Sequence, residues 1–76
     1  MIQVVLGDNM GLRGDALVVN ENMTIEQCLK DNNIDYNVGV VHLNGVPIDD
    51  VSLTFSDYNI TSGKCFLFNV IKANNA

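Results

Sequence analysis

Few side chains in this sequence could do chemistry, and their surroundings limit each of them. His42 is the single histidine. A general base needs a nucleophile and an orienting acid within hydrogen-bond reach, and the sequence supplies no partner for it. Cys28 and Cys65 form no C-x-x-C pair of the kind that holds zinc or cycles between redox states. They read as two free thiols in a reducing compartment, Cys28 as a small buried hydrophobe on a helix and Cys65 facing outward from a strand. Asp49-Asp50 offers two oxygen ligands but lacks the spaced donors of a calcium loop. Gly7, Gly11 and Gly14 lack the lysine and the following helix of a phosphate-binding loop. No catalytic, cofactor-binding or metal-binding set emerges, and the expectation is a protein that is not an enzyme and carries no cofactor. Arg13-Gly14-Asp15 matches an integrin-binding tripeptide, and Asn22-Met23-Thr24 and Asn59-Ile60-Thr61 match the glycosylation pattern. Both matter only on secreted chains. Residues 1–6 show neither a basic n-region nor a long apolar stretch, so these matches read as chance.

Composition narrows the function further. Seventy-six residues make one domain near the lower size limit for folding without staples, which demands an apolar-rich core, and 47% of the chain is hydrophobic. The net charge is −5, with only four lysines and arginines, too few and too scattered to displace counterions from a nucleic acid. The nine acids are equally spread, which argues against an acidic mimic of nucleic acid. No apolar run approaches the ~20 residues of a membrane-spanning helix. The expected setting is cytoplasmic, with no nucleic-acid or membrane partner. Eleven asparagines are unusual but name no function.

The elements that would position these residues follow from periodicity and turn chemistry. Ile2 to Leu6 alternates as a strand, Gly7 to Gly11 is rich in turn formers, and a second strand ends in Ala16 to Val19. Thr24 is a good helix N-cap, Gln27 completes a capping box, and Met23 can staple onto Cys28. Ile25, Cys28 and Leu29 form one apolar stripe, so a short helix is expected from Ile25 to Asn32. Asn32-Asn33 can end it in a left-handed residue, with Ile34 closing over the end. Val38 to Leu43 is a third strand, Asn44-Gly45 a tight turn, and Val46 to Ile48 a short strand that Pro47 places at an edge. A loop through Phe55 to Ile60 leads to a last strand, Cys65 to Ile71.

The order strand, strand, helix, strand, strand, strand resembles that of the ubiquitin-like β-grasp superfamily. Thr24-Ile25-Glu26 is similar to the helix opening of ubiquitin, and Phe55-Ser56-Asp57-Tyr58-Asn59-Ile60 to its Leu-Ser-Asp-Tyr-Asn-Ile. Asn44-Gly45 with Ile48 and Asp50 resembles its turn, with one residue inserted before Phe55. The connection after the helix is shorter, as in the sulfur-carrier proteins of thiamin and molybdopterin synthesis. The resemblance implies an α+β fold, a mixed sheet of four or five strands with one helix on one face, spanning residues 1–72, and a flexible tail at 73–76. It also exposes a departure: modifiers and carriers of this kind end in Gly-Gly, and this chain contains no Gly-Gly. Conjugation and sulfur transfer are therefore not expected. The counterparts of the family's apolar binding patch look like His42, Leu67 and Asn69. On the residues alone, Tyr58 is expected to cover the core edge and bond loop backbone, Asp57 to cap a turn and Ile60 to plug the core.

Side-chain alternation then separates an inner from an outer set. Ile2, Val4, Leu17, Val19, Ile25, Cys28, Leu29, Val41, Leu43, Ile48, Ile60, Phe66, Phe68 and Val70 are expected inside. Val5, Val18, Val40, His42, Leu67 and Ile71 are expected on the open sheet face, fringed by Gln3 and Asn69. An apolar face of this kind marks an interaction site. The expected function is a non-catalytic ubiquitin-like interaction module that docks on a protein partner or on itself. A diverged sulfur-carrier or modifier relative and a small accessory or phage-type structural protein remain as alternatives.

Overall fold

The computed structural model describes every residue except Met10, Arg13 and 72–76. Lys72, the expected tail and the arginine of the Arg13-Gly14-Asp15 tripeptide thus lie outside the described residues. In chain order the elements are β1 (Ile2–Asp8), β2 (Gly11–Leu12), β3 (Leu17–Val19), α1 (Ile25–Asp31), β4 (Val40–Leu43), β5 (Val46–Ile48) and β6 (Gly63–Val70). They make one helix and one mixed sheet, ordered β2-β1-β6-β4-β5 with β3 also beside β1. Among the described residues only the central β1–β6 pair is parallel. The sheet has six strands rather than the expected four or five. The difference arises because the second hairpin arm leaves the ladder between Leu12 and Leu17, around the turn-forming Gly14-Asp15. Two short strands therefore share the edge of β1.

The helix is set by its ends. Thr24 Oγ1 accepts the Gln27 N–H at 3.2 Å, but the Gln27 side chain donates to Asp31 at 2.7 Å, so the capping box is only half made. Loop carbonyls take over instead: Ile25 and Glu26 donate to Leu53 and Val51 at 2.9 and 2.8 Å. At the other end Asn33 is left-handed (φ 61°), and Ile34 and Asn33 donate to the carbonyls of Leu29 and Lys30 at 3.0 and 3.1 Å. That is a Schellman ending, with Ile34 buried as its apolar contact. The full reciprocal box occurs further on, where Thr54 N–H bonds Asp57 Oδ2 (2.9 Å) and Asp57 N–H bonds Thr54 Oγ1 (3.0 Å). The Tyr58 hydroxyl donates to the Asp50 carbonyl, and Asn59 turns left-handed at φ 64°.

Ile25, Cys28 and Leu29 of the helix share one core with Ile2, Val4 and Leu6 of β1, Val41 and Leu43 of β4, and Cys65 and Leu67 of β6. Phe55, fully buried, is the largest side chain in it, and Ile60 is only a half-buried flank. The expected inner set holds for β1, β3, the helix and β4, and reverses in β6. Phe66 is 44% exposed and Phe68 and Val70 are half-buried, whereas Cys65 and Leu67 are fully buried and Asn69 is 2% exposed. The parallel register explains it: Val4 pairs with Cys65 and Leu6 with Leu67, so those residues share the helix-facing side. The first strand's inner residues dictate which side of the last strand is inner.

A candidate docking face

The outer side of the sheet carries what the alternation of β1 and β4 requires. Val5 pairs with Phe66 and Gly7 with Phe68, while His42 pairs with Phe68 and Val40 with Val70. Gln3 sits between Val18 and Lys64 at one end, and Pro47 lies beside His42 at the other edge. The rings of Phe66 and Phe68 stand 6.5 Å apart at 46°, a tilted aromatic pair of the favoured spacing.

Two backbone features hold this pair. The Phe66 N–H donates to Asn44 Oδ1 at 2.8 Å, and the Asn44 N–H donates back to the Phe66 carbonyl at 2.7 Å. Asn44 can do so because it occupies the left-handed region (φ 52°) before Gly45 (φ 84°), the two-residue turn of a β4–β5 hairpin. The ring of Phe68 lies over Gly7, where an added Cβ would come within 2.7 Å of Cζ. Bare backbone at Gly7 leaves the notch that an aromatic ring covers. Between β4, its turn and β6 opens a groove of about 440 Å³ lined by His42, Asn44, Gly45, Phe66, Phe68 and Val70.

The residues expected on this face divide accordingly. Val5, Val18, Val40 and His42 lie on it; Val18 is 62% exposed and Val5 is covered by its neighbours but outside the core. Leu67 and Asn69 do not, because both point into the protein. Ile71 follows β6 in their alternation, exposed, with its N–H donating to Asn9 Oδ1 at 2.8 Å. The expected patch counterparts Leu67 and Asn69 are therefore replaced on the surface by Phe66 and Phe68. Gly7 was the available sequence signal for them, as the one gap on the outer side of the first strand.

Asn69 has a different role. Its Nδ2 donates to the Asp35 carbonyl at 3.0 Å, tying β6 to the loop before the 3-10 turn Tyr36–Val38. Its Oδ1 is buried without a hydrogen-bond partner and packs on Gly39, where a Cβ would fall 2.9 Å away. Gly39 is extended, so the constraint there is space rather than backbone angle.

The reactive side chains are structurally occupied. His42 Nδ1 lies 3.0 Å from the Val40 carbonyl, which accepts a hydrogen from it, and its cross-strand neighbours Pro47 and Phe68 supply no acid or nucleophile. Cys28 and Cys65 are free, and burial pushes both thiols up to about 11; Asp31 adds to the shift at Cys28, and Cys28 adds to it at Cys65. Thiols so raised are poor nucleophiles. Asp50 is held below the ordinary carboxylate range by hydrogen bonds from the Ser52 hydroxyl and backbone. Tyr58 is raised by desolvation and then by the charge of Asp50. Among the described residues no three His, Cys, Asp or Glu side chains converge on a point, and no helix is long and apolar enough to cross a membrane. What the site offers is an aromatic surface with one imidazole. No family model matches this chain, and no curated protein is significantly similar to it.

Proposed function

We propose that this protein is a non-catalytic interaction module of the ubiquitin-like β-grasp kind, and that it docks on protein through the outer face of its sheet. The observation that carries this reading is the placement of Phe66 and Phe68. Two aromatic rings stand outside a domain whose core is otherwise filled, with Phe66 44% exposed beside a groove of about 440 Å³. Clustered aromatic surface of this kind anchors interfaces, because a ring buries much area while giving up few rotamers. The hairpin–helix–strand order and the parallel β1–β6 pair support the β-grasp part of the reading.

Capture on immobilised protein tests it. The wild type should retain a specific protein that Phe68→Asp loses by at least ~10-fold, while Gln27→Ala on the exposed helix surface keeps it. Equal retention by all three would remove the sheet face as the docking site. A C-terminal thiocarboxylate formed with an adenylating enzyme and ATP would overturn the non-conjugating reading.

A further inference from the structure

We infer that the partner this face fits is a second copy of the same chain, joined sheet to sheet about a two-fold axis near Phe68. The inference rests on the docking reading above and adds the occupant.

Charge is the first argument. The chain carries nine acids, yet the register of β1, β3, β4, β5 and β6 places none of them on the outer face. Within those strands the outward ionisable groups are Lys64, at the start of β6, and His42. A basic partner would find no carboxylate to pair with on the outward side of these strands. An acidic partner would find one lysine to pair with on it. The complement of a carboxylate-free aromatic surface is another such surface, and a two-fold pairing supplies it with every contact made twice.

Size is the second argument. Strands about 4.8 Å apart and about 3.3 Å per residue give this sheet a footprint of roughly 500 Å². That is somewhat below the ~800 Å² per partner of a standard interface and suits a weak, reversible pair. Sheets stack about 10 Å apart with nearly aligned strands, a distance that the two Phe66–Phe68 pairs can fill by interdigitation.

The pairing has a signature that a heterologous salt-bridged complex lacks. Each copy brings a charge of −5, so added salt should tighten the dimer by screening the repulsion, whereas it would loosen a complex held by opposite charges. Sedimentation velocity on the full chain, run up to about 1 mM and between about 0.05 M and 0.5 M NaCl, reads this directly. The expected result is a dimer fraction that rises with concentration and with salt. Phe68→Asp should weaken the dimer by at least ~10-fold while its circular dichroism stays that of the wild type; Leu53→Asp, on an exposed loop, should leave it unchanged. Phe66→Ser provides a second, gentler variant should Phe68→Asp disturb the sheet. A monomer throughout, a dimer that survives Phe68→Asp, or a dimer that loosens with salt would each overturn the inference. A wild-type monomer whose captured protein is still lost in Phe68→Asp would overturn the second copy while leaving the docking face standing.

Discussion

The two sides of β6 carry opposite chemistry. Inward stand Cys65, Leu67 and Asn69, all essentially without solvent contact; outward stand Phe66, Phe68 and Val70, exposed or half-buried. The larger and more apolar side chains are outside. The helix explains this. It packs on the central strands, and the Cys65 thiol feels that of Cys28 from α1, so a small side chain faces a small one where the layers meet. A phenylalanine there would overfill a core already occupied by Phe55. On the outer side no layer covers Phe66, and the bare backbone of Gly7 leaves the room that the Phe68 ring needs. The space a neighbouring element leaves, rather than hydrophobicity, decides which side of a central strand is buried.

The strongest way to break this contrast is a charge on either side. Leu67→Asp should unfold the domain, costing on the order of 4–5 kcal/mol or more, because it strands a carboxylate in the core. Phe66→Asp should leave a cooperative urea transition close to that of the wild type. If the two variants behave alike, the assignment of sides is wrong. Truncation gives the next effect: Phe55→Ala should cost ~3–5 kcal/mol and Phe66→Ala under ~1 kcal/mol by the same unfolding measurement.

Asn69 tests the polar end of the inner side. Asn69→Ala should cost ~1–3 kcal/mol, because the Asp35 carbonyl loses its donor. Amide exchange should then quicken through Tyr36–Val38; unchanged protection there would deny the tether.

The buried thiols give a smaller effect, visible through pH. Their folded values are raised from 9.0 to about 11, so the folded state keeps protons that the unfolded chain releases. Stability is therefore fully present below pH 9.0 and falls as pH rises toward about 11, by at most ~3 kcal/mol per thiol. Urea midpoints should drop between about pH 8 and about pH 10.5, and less so in Cys65→Ala; an equal drop in that variant would assign the effect to other groups.

Much of the scaffold was legible in the residues. The helix was bracketed by Thr24 and Asn33, the β4–β5 turn by Asn44-Gly45, and the inner faces of β1 and β4 by plain alternation. Asparagine abundance, which named no function, turns out to be backbone work: Asn33, Asn44 and Asn59 take left-handed angles, and Asn9, Asn44 and Asn69 bond backbone in other elements. The site was half legible. Val5, Val18, Val40 and His42 sit on the outer face, but Phe66 and Phe68, which give it an aromatic centre, read as core residues from the sequence.

Sequence by itself determined the helix, the β4–β5 turn and most of the strands, because caps, turns and periodicity are local and act within a few residues; the split of the second strand into β2 and β3 it did not show. It also determined which side of β1 faces the helix, since only one side of that strand alternates cleanly. It could not determine the side of β6, because Cys65 to Ile71 carries apolar residues on both sides, its one polar residue Asn69 reads as outward, and a one-residue step exchanges the sides. Only the tertiary structure decided that. Pairing with β1 over seven residues locks Cys65 to Val4 and Leu67 to Leu6, and the Asp35 carbonyl gives Asn69 an inward partner. Phe66 and Phe68 are left on the surface.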